Sequence, residues 1–414
     1  MIRQKVRGVV ASVAGRHWIV VLAMVKAAAG GMLAVGLPVK LDRLGWSDWR
    51  LGLLAAVGAA TYAAACAAYG LLLLHRVALG RVMALAAGVC ALAALGLWAF
   101  KVPLLVFILA AGFSLGSAFF WPSLMAWIGE SEESHLVGDI SAFNCAWTVS
   151  STVGFVAGGI LEVASGGLSL VLVAVVLGLL MAAVPFAHIR GRGAFPATVA
   201  SPPATPVLPR RFLAAGWLAA LLATLAVAAP RAVFVKLNSD LGYTPRDFGI
   251  FLGIQGAAQA FVFLALGVLQ GWRYRRWPLV AAPVLSAAGS ALLFMPFTGG
   301  PFAWHVLALG FALLGAGLGL GYAAGFYYTV AGGGRRGRRV GLFEALVSAH
   351  QAAGGALGGL AASVSPLWPR RTPYALIAVI AVLGLLVQGV FLRGVGGTRE
   401  AGAGEGPARG EEGR

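Results

Sequence analysis

Long apolar runs, each closed by a charge, a proline or a glycine, recur along the whole chain. They fall at about 17–40, 50–74, 80–99, 103–128, 137–164 and 167–188, then at about 212–237, 246–270, 277–298, 303–331, 340–365 and 373–393. A bilayer-crossing helix takes about 20 apolar residues, so each run predicts one membrane span. The second run, rich in Ala and Gly, predicts a helix that faces protein more than lipid. Arg3, Lys5 and Arg7 before an apolar stretch imitate a signal peptide, but the run from Trp18 to Val39 is too long for a cleaved one. Between the sixth and seventh runs, Gly191 to Pro209 carries five prolines, which predicts a loose linker. The pattern divides the chain into an N-terminal six-helix bundle (1–190), a cytoplasmic linker (191–211), a C-terminal six-helix bundle (212–393) and a disordered cytoplasmic tail (394–414).

Composition excludes the soluble classes. Hydrophobic residues make up 60% of the 414 and charged ones only 11%, against roughly 25% charged in a soluble domain. So few charges cannot cover a water-facing surface. The net charge of +17 would suggest a polyanion partner in a soluble chain, but here the basic residues punctuate apolar runs and no nucleic acid is implied. Cys66, Cys90 and Cys145 all lie inside runs without CxxC spacing, so neither disulfides nor a metal site is expected. With a cytoplasmic N-terminus, 21 of the 31 Lys and Arg fall on the cytoplasmic side, 8 on the other and 2 within spans. That bias places both termini in the cytoplasm of a cell inner membrane.

The halves repeat. Leu44-Gly45-Trp46-Ser47 and Gly52 recur 197 residues on as Leu241-Gly242-Tyr243-Thr244 and Gly249. Phe143, Thr148, Gly154, Gly158 and Gly159 recur 200 residues on as Phe343, Ser348, Gly354, Gly358 and Gly359. A parallel repeat about an axis along the membrane normal follows. With this layout, the loop after the second run (Gly70, His75, Arg76, Gly80, Arg81) and its copy (Gly267 to Arg276, with Arg273), the chain resembles the major facilitator superfamily over about residues 15–393. Phe120-Trp121-Pro122, Trp127, Glu130 and the Asn144–Gly159 pattern are also similar to what members have. Both loops lack the acidic residue of the family signature; Leu74 stands in its place in the first. The resemblance implies an all-α polytopic membrane protein with twelve transmembrane helices in two six-helix pseudo-symmetric bundles. It also implies solute transport by alternating access, with Arg76, Arg81 and Arg273 as gating candidates.

Polar residues inside spans are costly and so become site candidates. Lys26 sits near the middle of the first span, and Arg231 follows Pro230 nearer the outer end of the seventh. Gln255 and Gln259, at i and i+4, share a face of the eighth helix and offer either solute contacts or helix–helix hydrogen bonds. His350 and Gln351 are adjacent in the eleventh; the histidine suits either proton coupling or plain packing. Asn144 and Glu344 are repeat partners and candidates for gating or coupling, Glu344 with Arg338 or Arg339 as alternative partners. Trp121, Trp147, Tyr322 and Phe326 could wall a cavity. No acid falls at mid-span, so the counter-charge of Lys26 would be a more distant Glu162 or Glu344, water or the solute. The deep cation leans toward an anionic or neutral polar solute.

These readings favour a monomeric secondary or facilitative transporter of a small polar solute, with H+ or Na+ as a coupling ion and the lipid bilayer around it. No Walker-type loop, HExxH pair, GxSxG elbow or carboxylate dyad in the spans points to an enzyme or a cofactor. The alternative is a transporter-like membrane sensor or accessory protein without transport activity.

Overall fold

The computed structural model describes residues 2–69, 79–128, 136–191, 210–331, 336–364 and 370–393. Among them are twelve α-helices and no strand: α1 (Ile2–Arg43), α2 (Asp48–Ala68), α3 (Leu79–Ala99), α4 (Pro103–Ile128), α5 (Leu136–Ala164) and α6 (Leu168–Gly191), followed by α7 (Arg210–Asp240), α8 (Pro245–Val268), α9 (Trp277–Phe294), α10 (Gly300–Ala331), α11 (Arg336–Val364) and α12 (Thr372–Leu392). Each matches one apolar run. Two ends differ: α1 begins well before its run, and α9 stops at Phe294, ahead of Pro296. The expected tail (394–414) falls outside the described residues, as does the expected linker apart from 191, 210 and 211 at its edges.

Eleven of the helices are long and apolar enough to cross a membrane. The chain is an integral membrane protein. The exception by composition is α11, whose 29 residues include Arg339, Glu344, His350 and Gln351. It packs against α2 and α7, and its Glu344 is buried there.

Packing repeats as the sequence does. In the first half α1 lies on α5 and α6, and α3 on α4 and α6; in the second α7 lies on α11 and α12, and α9 on α10 and α12. The two bundles meet along α2–α11 and α5–α8. At this seam the repeated glycines touch crosswise. A Cβ on Gly52 would stand 2.5 Å from Gly359 Cα, and one on Gly249 would stand 3.1 Å from Gly159 Cα. No side chain fits either contact, so backbones approach as closely as small residues allow.

The repeated turns close in one way. Gly45 and Gly242 take φ of +74° and +75°, and each follows a helix whose last carbonyls are bonded back. Gly45 N–H donates to Asp42 O (2.8 Å) and Trp46 N–H to Leu41 O (3.1 Å); Gly242 and Tyr243 donate to Ser239 and Asn238 at 3.0 Å each. This is the glycine C-cap in which two orphan carbonyls are satisfied together. Thr244 then caps α8 reciprocally with Asp247, and Ser47 caps α2 more weakly, accepting from Arg50 N–H at 3.4 Å.

Candidate functional site

Two adjoining cavities of about 420 and 320 Å3 run along the seam between the bundles. They share Gly30, Tyr62, Phe113, Ser117, Arg231 and Gln351, and so adjoin as one passage. The larger opens among Leu37, Leu41, Leu51 and Leu54, toward the 44–47 turn. The smaller reaches the other way to Met125, Phe143 and Glu344, and is lined by both bundles.

Lys26 lines the smaller cavity and is 2% exposed. Its Nζ donates to Ser117 Oγ at 3.0 Å and lies 4.3 Å from the Phe113 ring centroid. Its contacts are thus a hydroxyl and a π face, with no carboxylate in ion-pair range among the described residues. Arg231 lines both cavities; Nε donates to Gln255 Oε1 at 3.3 Å and the guanidinium lies 5.3 Å from the Phe155 ring centroid. The two cations come from α1 and α7, the first helix of each half.

Gln259, Gln351, Trp121, Trp147 and Tyr322 also line the smaller cavity. So does Glu344, which places a carboxylate in the same space as Lys26 although no acid lies at mid-span in the sequence. Tyr322 Oη donates to Glu344 Oε1 at 2.6 Å, and no Arg339–Glu344 ion pair is present among the described residues; the Arg338 side chain lies outside them. Gln255, Phe326, His350 and Asn144 stand off the lining. Gln255 holds Arg231, and Phe326 stacks on Tyr322 at 6.0 Å. His350 Nδ1 lies 3.0 Å from Leu346 O on its own helix, and Asn144 accepts from Trp147 Nε1–H at 3.1 Å. Of the loop arginines, Arg81 is exposed at the start of α3 and Arg273 lies 5.9 Å from the Tyr327 ring; Arg76 lies outside the described residues.

Several lining groups were not marked as site candidates by the sequence, although Thr148 and Ser348 are matched positions of the repeat. Tyr62, Phe113, Ser117, Thr148, Ser151 and Ser348 belong to residue types that occur throughout apolar helices, and only their rotation into the cavity marks them. Thr148 is 1% exposed and its Oγ1 has no hydrogen-bond partner among the described residues.

Glu162 does not serve Lys26. It is 1% exposed near the end of α5, where Arg43 Nη1 (3.0 Å), Ser169 Oγ (2.6 Å) and Gly167 N–H (3.1 Å) all donate to its carboxylate. Removing a buried carboxylate with such partners costs on the order of 1–3 kcal/mol. Glu162→Ala is therefore expected to lower the melting temperature in detergent while leaving solute affinity unchanged.

At the end that carries the turns, ion pairs cross from one bundle to the other. Lys236 Nζ lies 3.1 Å from Asp42 Oδ1, and Ser239 Oγ donates to Asp42 Oδ2 at 3.1 Å. Arg370 bridges Asp48 (3.6 Å) and Asp240. Lys236 is thus part of a link between the halves.

No family model matches the sequence, and no curated protein matches it. Solved structures do match its shape. The nucleoside transporter NupG aligns with a TM-score of 0.69 at 11% identity, over 92% of this chain and 99% of that one. A bacterial homolog of the human lysosomal transporter Spinster, inward-facing and unoccupied, gives 0.67 at 14% identity over 92% and 96%. A structure from work on substrate recognition in proton dependent oligopeptide transporters gives 0.66 at 15% identity over 92% and 98%. At such identities the likeness is one of fold. With its paired six-helix bundles, crosswise glycine seam and central passage, this chain has the fold of the major facilitator superfamily.

Proposed function

We propose that this protein is a secondary or facilitative transporter that moves a small polar solute by alternating access between its two bundles. The observation that carries the reading is the pair Lys26 and Arg231, one from each bundle, lining a shared central passage with no carboxylate in ion-pair range among the described residues. Burying an uncompensated charge is expensive, and a packing role would be served by Leu or Met without that cost. Two such charges in a passage that both bundles line are explained by an acid group on the solute. A solute held by both bundles responds to their relative motion, which a ligand sensor on one bundle would not require. NupG and the oligopeptide transporters are described as carriers of nucleosides and of peptides, both small polar solutes, in keeping with this size and chemistry.

The test is flux. Purified protein in sealed liposomes should accumulate or exchange a radiolabelled solute found by a thermal-shift screen of small acids, amino acids and nucleosides. Solute binding without flux would instead favour a sensor or accessory role. A coupling ion such as H+ or Na+, a monomeric state and an inner-membrane location belong to the same proposal.

The 21-to-8 basic bias carries the proposed orientation. Single cysteines at 200 and 400, in a chain cleared of its three native cysteines, should react with membrane-impermeant maleimide only after the membrane is opened. Labelling of intact cells at either position would reverse the topology.

A further inference from the structure

We propose that the solute is a zwitterion, an ammonium group joined to an acid group, with the ammonium at Glu344 and the acid group at Lys26 and Arg231. The proposal rests on the transport reading only in taking the central passage as the solute's place. Glu344 is 6% exposed and lines the smaller cavity together with Trp121, Phe143, Trp147 and Tyr322. Tyr322 occupies Oε1, and no second partner of the carboxylate is found among the described residues. The two cations of the passage are engaged elsewhere, Lys26 with Ser117 and Phe113, Arg231 with Gln255 and Phe155. A carboxylate set among aromatic faces is a recognition site for an ammonium group, since the ring quadrupole and the anion attract the same charge.

The three charges select against simpler solutes. A monoanion satisfies Lys26 and Arg231 but enters a cavity that also holds Glu344. A monocation suits Glu344 and the aromatic walls but meets two like charges. A molecule with both groups leaves none of the three opposed, and discrimination by such like-charge contacts is how a site rejects near neighbours. Thr148 lines the same cavity, and its hydroxyl, without a hydrogen-bond partner among the described residues, offers a further polar contact. At about 320 Å3 the cavity lies at the small end of ligand sites, which run roughly 300–1,000 Å3. The size fits a solute of amino-acid or betaine dimensions.

Binding of four probes to the purified full-length protein tests this: glycine betaine and glycine against choline and acetate, read by thermal shift and tryptophan fluorescence. The zwitterions should bind about tenfold or more tightly than either half-molecule, as expected when a charged contact is gained at each end. One end is a hydrogen-bonded carboxylate; the other is a cation held by Glu344 and the ring faces, which needs no N–H. Glu344→Gln should lower zwitterion affinity by about tenfold or more on the same basis, and Glu344→Asp should retain part of it. The unliganded melting temperatures report whether each variant folds. Acetate or choline binding as tightly as betaine, no response to either zwitterion, or a folded Glu344→Gln protein with parental affinity would each overturn the proposal. Betaine binding with no flux in liposomes would overturn the transport reading and leave this one standing.

Discussion

Lys26→Met is expected to insert and fold as the parent does and to lose most of its solute binding. A lysine at a helix centre costs about 2.5–3.5 kcal/mol on insertion scales, so its removal relieves the membrane span of a burden. What it loses is a charged donor in the passage, worth about 1.5–3 kcal/mol per charge-assisted hydrogen bond, or roughly 10- to 100-fold in affinity. Ser117 keeps a neighbour in Cys90, whose Sγ lies 3.7 Å away, and Met fills the aliphatic volume beside Phe113. Lys26→Arg should keep part of the binding, because the charge survives while the donor geometry changes. The measurements are uptake by liposomes of the solute identified in the flux screen, and melting temperature in detergent. Uptake at the parental rate by Lys26→Met would show that the lysine is structural, and the acid-group assignment would fall with it.

The second large effect concerns two glycines that look alike in sequence. Gly315→Ala should destabilise the fold strongly, and Gly112→Ala should not. A Cβ at Gly315 would stand 2.0 Å from the carbonyl oxygen of Gln255, a backbone atom of α8. The two helices must then separate, and overpacking of this kind costs typically about 1–3 kcal/mol. The shift also moves Gln255, which holds Arg231 at 3.3 Å, so solute affinity should drop along with melting temperature. At Gly112 a Cβ meets nothing within 4 Å, and the helix gains up to about 1 kcal/mol from the better propensity of alanine. Equal melting temperatures for the two variants would refute the close approach of α8 and α10.

Much of the architecture is legible along the chain because the bilayer is a severe solvent. Backbone polar groups in lipid must be satisfied within the segment, so each apolar run of sufficient length has one available structure. That constraint accounts for the agreement between twelve runs and twelve described helices. The repeat is legible for a related reason. Gly45 and Gly242 are held by a positive φ, and Gly52, Gly159, Gly249 and Gly359 by the absence of room at the seam. Residues dictated by backbone geometry recur wherever that geometry recurs.

The site is another matter, because an apolar run leaves open the rotation of its helix about its own axis. His350 and Gln351 are neighbours in sequence and about 100° apart around α11; only Gln351 lines the passage. Gln255 and Gln259 share a stripe, yet Gln255 holds Arg231 and only Gln259 lines the passage. Glu344 reads as a residue near the end of its span, and packing of α11 against α2 brings it into the cavity of Lys26. Gly112 and Gly315 differ only in what lies opposite them. In each case the deciding quantity is the position of a second helix. Such contacts join residues tens to hundreds of positions apart, as Lys26 and Ser117 are, and no local pattern of apolar and polar positions encodes them.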